Sequence, residues 1–182
     1  MKSFIIFLVF ISALFFGGYK VYQKKHPEIG EFLVKNIMQI SSPTIPNNGT
    51  IPGVHTCQGS GVSPELNIFS AHEDAKTLAL IVDDPDAASG TFTHWVVYNI
   101  PSSLKKIPAG SNSFGITARN SLNTNVYVPL CPPSGKHKYI FTVYALDFSL
   151  PNGGIIGKKD LVTAMTGHIL DQAHLTGWFQ KK

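Results

Sequence analysis

Residues 83–95 read DDPDAASGTFTHW, which sets Asp83, Asp84 and Asp86 a short loop ahead of His94 and Trp95. A carboxylate near an imidazole serves several chemistries. It can hold the ring in one tautomer for acid/base work, complete a metal shell, or build a charge-assisted clamp for an anion. Asp-Pro-Asp is equally a good turn sequence, with no function beyond reversing the chain. A second polar group lies in VYVPLCPPSGKH (126–137), where Pro129, Pro132 and Pro133 fix backbone φ and His137 follows at the entrance to an apolar run.

The elements that must position these groups are short apolar runs bounded by turn residues. TLALIVDD (77–84), THWVVYNI (93–100) and KYIFTVYALD (138–147) are rich in Val, Ile, Tyr and Phe, the composition of strands. The first two are joined by the loop PDAASGTF, so they are expected to be sheet neighbours with Asp84 and His94 at one end. His137, at the start of the third, is expected at that end too, since loops at one edge of a rigid sheet are where sites are built. From Asp160 to Trp178, Leu161, Ala164, Met165, His168, Ile169 and Gln172 recur at helical spacing. One amphipathic helix is therefore expected to close the chain, with Gly177 near its C-cap and His168 packed inward. The fold class is mainly β: an antiparallel sheet core with a packed helix. Asp83 is expected to be ordinary surface.

Composition narrows the function classes. Of 182 residues, 43% are apolar and only 14% charged, with 12 Phe, which describes a packed domain and not a disordered chain. Net charge is +4, but 14 of the 15 basic residues are Lys and Arg119 is the only Arg. No stripe of clustered basic and aromatic residues exists to bind nucleic acid. Ser3 to Tyr19 is a run of 17 uncharged residues, between the lengths of a signal-peptide core and a spanning helix. Phe15 and Phe16 stand at the cleavage offset before Gly17 and Gly18, where small residues are wanted, which favours an uncleaved anchor. Residues 1–22 are thus expected to be a signal or membrane-anchoring segment, 23–36 a linker and 37–182 the folded domain. Lys20, Lys24 and Lys25 behind the apolar run would keep that domain in the cytoplasm by the positive-inside rule; export to the periplasmic side is nonetheless the favoured expectation.

Four stretches in order and spacing, SPTIPNNGTIPGVHTCQGSGVSPEL, LIVDDPDAASGTFTHWVVYNIP, YVPLCPPSGKHKYIFTVYALD and AMTGHILDQAHLTGW, resemble the phosphatidylethanolamine-binding protein (PEBP) family, in its bacterial Raf-kinase-inhibitor-like branch. The likeness runs from about Ile37 to the C-terminus. It implies a large antiparallel sheet flanked by a smaller sheet and terminal helices, with a small pocket at one sheet end for phosphate-like or phospholipid head groups. The family's pocket residues fall on Asp84, His94, His137, Tyr139 and the pair Pro132 and Pro133. The chain departs from the family at Ala88 (usually proline), Ile68 (tryptophan), Gly61 (asparagine) and Pro129 (glycine). The last change removes a backbone N–H that could hold an anion.

Binding of a phosphate or phosphoethanolamine-like anion, with no cofactor and no catalytic residue, is the expected function. An Asp/His-dependent hydrolase is the enzymatic rival, but it needs an activated nucleophile or metal, and neither G-x-S-x-G nor H-E-x-x-H occurs. His55, Cys57 and Cys131 could join His94 or His137 around zinc, although their spacing matches no common template. Inhibition of a kinase or protease is a third reading, by analogy alone. Cys57 and Cys131 would form a single disulfide in an exported domain and stay free thiols in a reducing cytoplasm.

Overall fold

The computed structural model describes residues 37–181. The expected apolar anchor and the linker at 23–36 lie outside the described residues. Two sheets and one α-helix make up the domain. The smaller sheet holds β1 (Gln39–Ser41), β3 (Leu66–Phe69) and β6 (Lys106–Ile107), all antiparallel in the order β1-β3-β6. The larger has six strands: β2 (Gly49–Thr50), β4 (Thr77–Asp84), β5 (Phe92–Pro101), β7 (Ile116–Ala118), β8 (Lys136–Leu146) and β9 (Ile169–Gln180). Their order is β2-β9-β8-β4-β5-β7, antiparallel except where the short edge strand β2 runs parallel to β9. The mainly β fold class and the two-sheet architecture are as the resemblance implied.

Strand β4 is buried along almost its whole length because both its faces are covered. Leu78, Leu80 and Val82 pack with Phe141, Val143 and Leu175 and with Ile40, Leu66, Ile68 and Ile107 of the smaller sheet. Ala79 and Ile81 point the other way, against Leu161 and Met165 of α1 (Lys158–Met165). A strand buried on both faces needs an unbroken apolar run, and TLALIV supplies it. Ile68 occupies a fully buried position in the smaller sheet's contribution to this core.

The expected helix over 160–178 is corrected. Helix α1 ends at Met165; Gly167 has φ +82°, and from Ile169 the chain is strand β9, paired with β8 through Gln180. Helical spacing across 161–172 was the misleading signal. Beyond it the pattern changes to period two, with Ala173, Leu175 and Phe179 buried and His174 and Gln180 exposed. Tertiary pairing with β8 decides the matter, since a long strand partner satisfies every backbone group that a helix would have satisfied internally. Gly177 is mid-strand and not a C-cap: a Cβ there would lie 2.6 Å from an Ile51 carbon and 3.0 Å from one of Ile45. His168 is exposed, with its Nδ1 2.9 Å from Asp147 and its ring against Phe148, so it is not a core residue.

Candidate functional site

The C-terminal end of β4 and the N-terminal ends of β5 and β8 meet at one edge of the larger sheet. Alternation sends Asp84, His137 and Tyr139 to the face shared with the smaller sheet, and Asp83 to the face covered by α1. His94 reaches the Asp84 face through a local irregularity. The register runs Val82 to Trp95 and then Asp83 to Thr93, which leaves His94 as an extra residue in β5. Trp95 packs into the same core as Val82, and the bulge lets His94 face that side as well, where strict alternation would have turned it away.

Asp84 is held on both oxygens. Oδ2 accepts from His137 Nδ1 at 2.8 Å, and Oδ1 accepts from the Asp86 N–H at 2.9 Å, so the Asp-Pro-Asp turn orients the carboxylate. The Asp84 and His137 side chains are only 5% and 10% exposed. His94 donates from Nδ1 to the Val128 carbonyl at 2.9 Å, and the Val128 N–H returns a bond to the His94 carbonyl at 3.0 Å. That clip leaves Nε2 as the free ring nitrogen, a lone pair whenever the ring is neutral. Burial lowers the His94 pKa below its usual range; the Val128 bond and the charges of Asp84 and Asp83 oppose this without reversing it.

Tyr139 stands edge-on to His94, ring centres 5.5 Å apart. Burial, and then the negative charge of Asp84, push the phenol pKa up, so the hydroxyl remains a donor at any ordinary pH. The approach to Asp84 does not make a hydrogen bond of good geometry. Among the described residues the Tyr139 hydroxyl is the one buried side-chain polar atom with no hydrogen-bond partner.

A cavity of about 410 Å³ opens beside these groups. Its polar wall is Asp84, His94 and Ser89, and its apolar wall includes Phe92, Leu122, Val128, Pro129 and Pro133. None of the described residues lining it is Lys or Arg. Of the expected site residues, Asp84, His94 and Pro133 line the cavity, His137 and Tyr139 stand behind it, and Pro132 is buried off the wall. A larger cleft of about 690 Å³, between Lys136, Trp178 and Gln58, contains none of them.

Cys57 and Cys131 are joined in a disulfide with Cα atoms 5.4 Å apart, and Cys131 lines the cavity. The same two segments pair through backbone, Cys57 N–H to Leu130 O at 3.2 Å and Leu130 N–H to His55 O at 3.3 Å. Both cysteines are consumed, and both ring nitrogens of His55 are engaged, by Val62 O at 2.8 Å and Thr44 Oγ1 at 2.9 Å. Two departures from the family pattern touch each other. Gly61, with φ +68°, lies against Pro129, and a Cβ at 61 would meet the proline ring at 2.6 Å. The absent side chain at 61 makes room for the ring at 129.

Asp83 is not ordinary surface. It accepts from Thr93 Oγ1 and from Lys158 Nζ, both at 2.7 Å, and so ties α1 to the sheet. The Val128 carbonyl and Phe92, whose ring centre is 4.7 Å from that of His94, are site components that residue-type reasoning missed. A carbonyl leaves no trace in residue type, whereas Phe92, two positions before His94, was legible as a same-face neighbour.

Residues 41–180 match the sequence profile of the phosphatidylethanolamine-binding protein family. A UPF0098 protein of Chlamydia pneumoniae is 38% identical over 149 residues, covering 79% of this chain and 99% of its own; one from Pyrococcus horikoshii is 40% identical over 146 residues, covering 75% and 73%. The crystal structure of a putative PEBP homolog from Chlamydia trachomatis superposes with a TM-score of 0.78 at 37% identity, over 81% of this chain and 99% of that one. E. coli YbcL, described as a member of the mammalian PEBP family, gives 0.73 at 25% identity, over 80% and 99%. With fold, sequence profile and relatives in agreement, the chain belongs to the phosphatidylethanolamine-binding protein family.

Proposed function

We propose that the domain binds a small phosphate-like anion or a phosphoethanolamine-like head group at the Asp84–His94 cavity. The observation that carries this reading is the free Nε2 of His94 on the cavity wall beside Asp84, in a ring that Val128 fixes in place. Protonated His94 would add a charge-assisted bond from Nε2, with Val128 holding the ring in place. A binding role is favoured over hydrolysis because Ser89, the hydroxyl on the cavity wall, is exposed and hydrogen-bonded to neither histidine.

The test is an NMR titration of the His94 and His137 ring signals with phosphate and phosphoethanolamine across pH 5 to 8, using the full chain in non-ionic detergent. Both rings shift and their pKa values rise on binding if the reading holds. Unchanged phosphate affinity in His94→Ala and His137→Ala counts against it. We further take the domain to be exported and held at the membrane by the N-terminal segment, a reading supported by the Cys57–Cys131 pair. Nonreducing alkylation of protein from its native host would sink this if both thiols were modified.

A further inference from the structure

We propose that the Cys57–Cys131 cystine is a redox control on the Asp84–His94 cavity: oxidised, it holds the site ready for its anion, and reduction by a dithiol lowers the affinity. This rests on the anion-binding reading above and names how that site is regulated.

The ring of His94 is aimed from outside its own strand. Val128 accepts its Nδ1 proton at 2.9 Å and returns an N–H to the His94 carbonyl at 3.0 Å, so the direction of Nε2 is only as fixed as the backbone at 128. Residues 126–131 lie in no helix and in no strand of either sheet. This strap hangs from one neighbouring segment, 55–57, at two points on either side of Val128. Tyr127 Oη donates to the His55 carbonyl at 2.9 Å, and Cys131 is bonded to Cys57. The segment is a firm base, since both His55 ring nitrogens are engaged and Thr56 Oγ1 donates to Gly53 O at 2.9 Å.

Reduction would remove the one covalent tie. The backbone bonds that remain, Cys57 N–H to Leu130 O at 3.2 Å and Leu130 N–H to His55 O at 3.3 Å, are at the long end of the usual range. Leu130 is fully buried, so the strap loosens without leaving the domain. A loosened strap leaves His94 to be ordered at the moment of binding, where the oxidised form has it preorganised. Both cysteines are exposed and Cys131 lines the cavity, so a reductant reaches the cystine in the folded protein, the property of labile disulfides. A thiolate of the dithiol attacks one sulfur, the S–S bond breaks and a mixed disulfide forms, which the second thiolate resolves. Two electrons and two protons pass to Cys57 and Cys131, and the reductant leaves as its own disulfide.

Calorimetry with inorganic phosphate tests this on the full chain in non-ionic detergent, before and after reduction with dithiothreitol, with free thiols counted by alkylation of a parallel sample. Phosphate should bind at least about fivefold more weakly to the reduced form and recover on reoxidation. By reciprocity, saturating phosphate should lower the reduction potential of the cystine by at least about 20 mV, the same fivefold read on a two-electron couple. Hydrogen exchange at the Val128 amide should accelerate at least about tenfold more than at Leu161, whose N–H bonds Gly157 O in α1 and reports the global change. Cys57→Ser/Cys131→Ser should bind phosphate as the reduced form does and ignore dithiothreitol; if it does not fold, the redox cycle of the unsubstituted chain still decides. Equal phosphate affinity in the two forms, with both thiols counted free, overturns the redox control and leaves anion binding standing. A loss of affinity in which Leu161 exchange rises as much as Val128 exchange is unfolding, and overturns the control too. Phosphate binding by neither form overturns both readings.

Discussion

Asp83 and Asp84 are adjacent in β4 and face opposite sides of the sheet, and their surroundings give them opposite uses. Asp83 lies on the α1 face, where Thr93 and Lys158 occupy it and a cation neutralises it. Asp84 lies on the face shared with the smaller sheet, where its partners are His137 and a backbone N–H and a cavity lies alongside. The same residue type, one position apart, is a brace on one side and a site group on the other. Strand alternation separates the two, and the partners each face supplies decide the role.

The largest effect bears on whether the Asp84 face depends on its covalent rim. The disulfide closes a loop with a sequence separation of 74, for which chain entropy gives about 4 kcal/mol. The double variant Cys57→Ser/Cys131→Ser should lose up to that much in urea unfolding, while hydrogen exchange at Leu161 on the α1 face follows only the global change. A loss below about 1 kcal/mol would mean that the Cys57–Leu130–His55 backbone bonds hold the rim unaided.

Next come the paired substitutions. Asp84→Ala removes the acceptor of a buried histidine and should cost about 2 kcal/mol, and it should abolish phosphate binding. Asp83→Ala breaks a half-buried bridge worth about 1 kcal/mol and should leave phosphate affinity within about twofold. Equal loss of binding in both variants would erase the distinction between the faces.

The smallest effect is a pH slope in the ligand-free protein. His94 has a lowered pKa in the fold, so the unfolded chain binds the extra proton first and stability falls as pH drops below the ordinary value of 6.5 toward the folded pKa. Thermal unfolding from pH 7.5 to 5 should show that decline, and His94→Gln should flatten it. Saturating phosphate should reduce the slope in the unsubstituted protein, because binding raises the same pKa.

Much of this was legible from residues. The strands at 77–84, 93–100 and 138–147 carry dense β-branched and aromatic runs, and their observed bounds differ by no more than two residues at either end. Asp84, His94 and His137 were expected at one sheet edge because each stands at a strand end. The 169–180 strand was misread because its opening residues also satisfy helical spacing, and two periodicities that overlap over a few residues are not separable locally. Asp83 was misjudged because its partner Lys158 is 75 residues away.

The sequence by itself determined the strand-forming runs, the punctuation between them and the presence of carboxylate and imidazole at their ends, since these follow from side-chain sterics and local backbone preference. Only the tertiary structure decided that residues 169–180 are a strand, that a bulge aims His94 beside Asp84, that Val128 holds its ring, and that Tyr139 is left with an unpaired donor. Each of those outcomes depends on a partner far away in the chain, and the free energy of a non-local contact is not written in the residues on either side of it.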